Sequence, residues 1–162
     1  MMTSQIELKS YFEKVVKGEK VSNARLQHLK SHIGTSEAYF NTCAYNCMLN
    51  NNFGDAIKYL DNACMYTSSQ QSLTAHYISY RCIGQECKAI QYIDTICYIQ
   101  PSLLRPKHIL MEYYDKIGDE KRAIAYAEDI LSTVPRIRND EISYIRHKAS
   151  EYIKNKTCQK EK

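Results

Sequence analysis

Four residues of this chain return at one fixed interval, and that interval restricts the fold more than any other feature. Tyr80, Gly84, Ala89 and Pro101 reappear, each displaced by the same distance along the chain, as Tyr114, Gly118, Ala123 and Pro135. A third copy ends with Phe53, Ala56, Leu60 and Ala63, where Ala56 precedes Ala89 by one position less than that interval. Within the last copy, Leu110 and Tyr114 are spaced i,i+4 and Gly118-Asp119 breaks the pattern. Ala123, Ala127, Ile130 and Leu131 then stripe one side until Pro135. Helical spacing on both sides of a glycine, closed by a proline, describes two helices folded back on each other. Such a hairpin cannot bury its apolar face alone; stacked neighbours bury it, which is why the fixed period matters. The expected fold class is therefore all-α, an array of antiparallel helix hairpins.

The boundaries follow from turn and cap chemistry. Residues 1–35 read as an N-terminal helical cap or degenerate repeat, with helices over 5–17 and roughly 23–33 separated by Gly18. Ser22 suits the N-cap of the second of these. Repeats are expected over 36–69, 70–103 and 104–137, a capping helix over 138–156 and a frayed polar tail over 157–162. Thr35 or Ser36 caps the first repeat, with Glu37 in the first turn, where the helix dipole favours an anion. Asn50-Asn51-Asn52 supplies its turn, and Thr67 to Gln71 connects it to the next. Gly84 and Gly118 are expected to take the left-handed conformation that ends many helices. Asn139 caps the last helix, to about Asn155. There Ile142, Ile145, Ala149 and Ile153 form a stripe facing the array, while Arg146, Lys148 and Lys154 face water. The small residues Ala56, Ala89 and Ala123 allow hairpin partners to approach closely near each turn.

Composition excludes several classes. Of 162 residues, 44% are hydrophobic, an ordinary globular share, so disorder is not expected. The 14 Tyr suit half-buried helix faces, where the ring packs and the hydroxyl finds a partner. Seven Cys without any C-x-x-C pair make neither a disulfide framework nor a zinc box, and favour a reducing compartment. No signal peptide opens the chain and no apolar run could span a bilayer, so the expected localisation is cytoplasmic. The net charge of +4 is uneven: residues 1–33 carry +3, residues 136–162 carry +4 and the middle carries −3. Both basic ends are of mixed sign, the pattern of solvated helix faces, and nucleic acid is not an expected partner.

No catalytic, metal or cofactor site is expected. His28 and His32 are spaced to share a metal, but no H-E-x-x-H motif and no third ligand accompany them. Cys43 and Cys47, also i,i+4, read as small buried residues. No glycine-rich phosphate loop occurs, and nothing local pairs a nucleophile with a base. Tyr77, Tyr80, Tyr113 and Tyr114 could stack bases, yet they fall where the repeat needs packing.

The pattern Leu110, Tyr114, Gly118, Ala123, Pro135, with Tyr80, Gly84, Ala89, Pro101 before it, resembles tetratricopeptide repeats. The resemblance covers about 36–137; the first repeat departs from it, with Asn51 in place of Gly and Ser68 in place of Pro. It implies a right-handed superhelix with a concave wall formed by the first helix of each hairpin. By register that wall carries Asn41, Tyr45, Arg81, Arg105, His108, Glu112 and Asp115. The places that hold a C-terminal carboxylate in some members of the family read Asn41/Tyr45, Ala75 and Arg105/Ile109 here, so that clamp is not reproduced. More narrowly, Pro106 to Ile153 resembles the soluble C-terminal tail of O-antigen ligase/polymerase-family membrane proteins of Bacteroides-like bacteria. The matching run is KHILMEYYDKIGDEKRAIAYAEDIL with the Pro135-Arg136-Ile137 that follows. That kinship implies a membrane-embedded parent whose glycosyl-transfer residues lie outside this chain, and with it a place on the soluble face of the inner membrane instead of free in the cytoplasm. The expected function is a non-enzymatic scaffold that takes a peptide or helix of a protein partner in its groove. The alternatives are a cell-envelope polysaccharide ligase tail and a nucleic-acid-binding adaptor.

Overall fold

The computed structural model describes residues 2–33, 36–66, 69–137 and 139–160. These form nine helices and no strand, so the chain is all-α among the described residues. The helices are α1 (Met2–Val16), α2 (Asn23–Ile33), α3 (Glu37–Leu49), α4 (Phe53–Cys64) and α5 (Gln70–Cys82). There follow α6 (Glu86–Ile99), α7 (Leu104–Lys116), α8 (Glu120–Ser132) and α9 (Asp140–Lys160). The chain divides into two compact units, Met1–Ala89 and Ile90–Lys162.

The turns show why the helices stop where they do. Gly18, Asn51, Gly84 and Gly118 all have positive φ, between 57° and 87°. At each, the residue's own N–H reaches a carbonyl three back and the next N–H reaches one five back. The pairs are Gly18 to Val15 with Glu19 to Lys14, and Asn51 to Met48 with Asn52 to Cys47. Gly84 to Arg81 with Gln85 to Tyr80, and Gly118 to Asp115 with Asp119 to Tyr114, repeat them. This is the Schellman arrangement, in which a left-handed residue lets the chain satisfy the last helical carbonyls while reversing. Asn51 serves where the sequence departs from glycine because Asn tolerates that conformation better than other side chains. The next helix is then capped from within the turn. Asn52 Oδ1 accepts from Asp55 N–H and Asp119 Oδ1 from Arg122 N–H. Ser36, Ser69 and Asn139 cap α3, α5 and α9 in the same way. Gly34, Thr35, Thr67, Ser68 and the side chain of Cys158 lie outside what the structure describes.

In the first unit, α3 and α4 form a hairpin, α4 packs on α5, and α3 touches both α1 and α5. One core joins Leu8 and Val15 of α1 and Val21 of the loop with Leu26 and Leu29 of α2 and Tyr39 and Cys43 of α3. A smaller cluster holds Ala44, Leu60 and Ala75. In the second unit, α7 and α8 form the hairpin and α9 lies against both. Its core contains Leu104, Met111, Ala127, Ile130, Ile145 and Ala149, flanked by Ile142 and Ile153. Ala56, Ala89 and Ala123 are all fully buried, as small residues at close helix contacts should be.

Two details of α9 differ from the sequence reading. The helix continues to Lys160 rather than ending near Asn155. Arg146 does not face water. Its Nη1 donates to Thr133 O at 2.9 Å and its Nη2 to Leu131 O at 3.0 Å. Those carbonyls belong to the end of α8, where helical oxygens lack partners and the dipole favours a cation.

Candidate functional site

In the first unit the expected recognition residues are Asn41 and Tyr45 on α3 and Arg81 on α5. Asn41 turns inward and is buried. Its Oδ1 accepts from Ser72 Oγ at 3.0 Å, and its amide nitrogen reaches Glu37 at 3.4 Å. The side chain therefore ties α3 to α5 instead of presenting itself to a ligand. Tyr45 is half-buried and packs edge-on against the Phe12 ring at 5.9 Å; burial pushes its hydroxyl above the usual phenol range. Arg81 is exposed, donating to Tyr77 Oη at 3.1 Å with its guanidinium over the same ring.

In the second unit Arg105, His108, Glu112 and Asp115 run along α7, and each has a partner. Arg105 Nε lies 3.5 Å from Glu141 of α9. His108 lies 3.7 Å from Glu112 and meets the Tyr144 ring edge-on at 6.2 Å. Asp115 accepts from Tyr152 Oη at 2.8 Å, and Lys156 bridges from 3.9 Å at Asp115 to 3.0 Å at Glu120. Burial, and then the bond to Asp115, hold the Tyr152 hydroxyl protonated well past its ordinary range. The row alternates guanidinium, imidazole and carboxylates along one helix.

The other candidates resolve by geometry. The His28 and His32 rings lie tilted over each other at 4.2 Å, and His32 Nδ1 is 2.8 Å from His28 O. Among the described residues no group of three His, Cys, Asp or Glu is placed to hold a metal. Cys43 is buried, and burial pushes its thiol up to about 11; Cys97 is raised to about 11 for the same reason. Thiols held protonated in this way are packing residues rather than nucleophiles at neutral pH. Tyr114 stacks on Tyr126 at 5.7 Å with the Arg122 guanidinium 4.2 Å from its ring, and Tyr113 meets it edge-on. Tyr80 stacks on His76 at 6.3 Å. These rings already have protein neighbours.

Among the buried polar groups that escaped the sequence reading, two carry basic side chains. Lys107 is 3% exposed, with its Nζ 2.8 Å from both Asp129 Oδ2 and Thr133 Oγ1. His76 is fully buried on α5 and faces Asp61 of α4. The period held the signal: Lys107 occupies the repeat position of the buried Leu73, and His76 that of the buried Leu110. A polar residue at a repeat position that is otherwise apolar is one that needs an internal partner.

Among the described residues no helix is long and apolar enough to cross a membrane. No protein-family model and no curated protein matches the chain.

Proposed function

We propose that the chain is a tetratricopeptide-like interaction scaffold, without catalytic activity of its own, that takes an extended peptide or a partner helix. In this reading α3, α5 and α7 are each the first helix of a hairpin. Tyr45 and Arg81 belong to the recognition surface of the first unit, where Asn41 ties α3 to α5, and Arg105, His108, Glu112 and Asp115 to that of the second.

The observation that supports the reading is the recurrence of one turn geometry. Left-handed residues with identical hydrogen bonding stand at Gly18, Asn51, Gly84 and Gly118, spaced evenly to within a single position. Local chance does not reproduce one backbone event so regularly; a repeated hairpin unit does. Neighbouring helices add to it, since α1 with α3, α3 with α5 and α7 with α9 meet as successive first helices of a stack would. The first of these turns also brings α1 and α2 into the same scheme as a degenerate unit.

A displayed library of unstructured peptides, selected on the wild-type chain, tests the reading. Selected peptides should bind the double variant Arg81→Glu, Arg105→Glu at least about tenfold more weakly in fluorescence anisotropy. Equal affinities, with both proteins folded by circular dichroism, would remove the assignment of these surfaces.

A further inference from the structure

His28 and His32 stand one turn apart near the end of α2, and both are exposed. Their rings are tilted by 31°, with centroids 4.2 Å apart. The surroundings of His32 decide which of its nitrogens carries a hydrogen. Nδ1 lies 2.8 Å from the His28 carbonyl oxygen, which can only accept a hydrogen bond. The Ser31 hydroxyl donates to that same oxygen at 2.7 Å, so its own oxygen, 3.0 Å from Nδ1, offers the ring lone pairs. Both neighbours therefore place a hydrogen on Nδ1, and in the neutral ring Nε2 keeps its lone pair. A histidine whose Nδ1–H is held by a backbone carbonyl, with Nε2 open, has the tautomer and orientation of a metal ligand. Beside His28 a cavity of about 380 Å³ opens between α1 and α2, lined also by Glu7, Tyr11, Ala24 and Arg25.

We propose that His28 and His32 form a two-histidine site for a divalent first-row transition metal. Among the described residues no third His, Cys, Asp or Glu completes it, so water fills the remaining coordination positions. Imidazole suits Ni²⁺, Cu²⁺ and Zn²⁺, whereas Mg²⁺ and Ca²⁺ take oxygen ligands. The i,i+4 spacing puts both rings on one side of the helix. Because both are exposed, side-chain rotation brings the two nitrogens onto one ion at about 2 Å from each. Once the first imidazole has bound, the second coordinates intramolecularly, at an effective concentration far above that of a free ligand. The pair ends α2, where the helix dipole favours a cation. Neighbouring charges do not oppose this: Glu7 and Arg25 line the same cavity with opposite signs. Lys30, two residues from each histidine, points to a different side of the helix. The cavity gives room for the metal's water, and Glu7 supplies an acceptor there.

Because α2 supplies none of the residues of the proposed recognition surfaces, this site is tested separately from them. The chain carries its own comparison: His147 on α9 is exposed and has no histidine three or four residues away. Isothermal titration of the untagged chain with Ni²⁺ alone should find one equivalent bound by the pair. His28→Gln and His32→Gln should each weaken that binding at least about tenfold, because either change removes the chelate. His147→Gln should leave it unchanged. In ¹⁵N-labelled wild type, Ni²⁺ below one equivalent should broaden the amide signals around His28 and His32 before those around His147. A smaller loss in either α2 variant would overturn the proposal. So would broadening centred elsewhere, on His147 or on an exposed thiol such as Cys82. The wild-type spectrum decides the matter even if a variant fails to fold.

Discussion

The Lys107 ammonium sits 2.8 Å from the Asp129 carboxylate with its side chain only 4% exposed, joining α7 to the last turn of α8. Thr133 Oγ1, at 2.8 Å, completes its shell. Removing one partner from such a pair leaves a desolvated charge, whereas replacing the cation with an apolar side chain of similar length leaves nothing unpaired. Asp129→Ala should lower unfolding stability by about 1–3 kcal/mol. Lys107→Met should stay within about 1 kcal/mol of wild type, or gain. Urea unfolding of both variants checks this, and a loss in Lys107→Met as large as in Asp129→Ala would contradict it.

Gly118 and Gly54 make a controlled pair. A Cβ at either meets nothing within 4 Å, but only Gly118 has positive φ, at 78°. The cost of a side chain at Gly118 is therefore torsional rather than steric. Gly118→Ala should destabilise by about 1–2 kcal/mol. Gly54→Ala, inside α4, should stabilise by about 0.5 kcal/mol through a less flexible unfolded chain. Opposite shifts in melting temperature are the expected result; shifts of the same sign would show that the turn geometry is not what distinguishes the two sites.

Arg146 of α9 holds two carbonyls at the end of α8 with two guanidinium nitrogens. Lysine gathers its three N–H donors on a single nitrogen and lacks the planar two-nitrogen fork that reaches these two oxygens. Arg146→Met should cost about 1–2 kcal/mol, and Arg146→Lys should recover less than half of it. Hydrogen exchange should quicken first in the last turn of α8 and in α9 facing it. Full recovery by lysine would reduce the contact to a simple charge effect on the helix dipole.

Thiol chemistry should follow burial. Cys82 is exposed, whereas burial pushes Cys43 and Cys97 up to about 11. With iodoacetamide at neutral pH, peptide mapping should find Cys82 modified well before Cys43 or Cys97. Both raised thiols favour the folded chain while they are protonated. Their contribution is complete below the unfolded thiol's range, near about pH 9, and is lost as pH rises toward about 11. Melting temperature should fall across that interval and the fall should shrink in Cys43→Ala. A flat profile would contradict the burial described for these side chains.

The residues that shape each hairpin could be read from the chain because their effects are local. A positive-φ residue ends a helix through bonds to carbonyls three and five residues back, and Ser36, Asn52 and Asn139 cap through N–H groups three residues on. The apolar stripe of Ile142, Ile145, Ala149 and Ile153 is likewise a matter of spacing within one helix. What could not be read is which polar side chains meet across helices. Asn41 finds Ser72 on α5, His76 finds Asp61 on α4, and Arg146 finds carbonyls of another helix end. Periodicity assigns such residues to a face, and on that basis Asn41 and Arg146 looked outward. Only the packed structure decides whether a polar group on that face keeps its water or exchanges it for a buried partner, because that choice depends on the neighbouring helix and not on the helix that carries it.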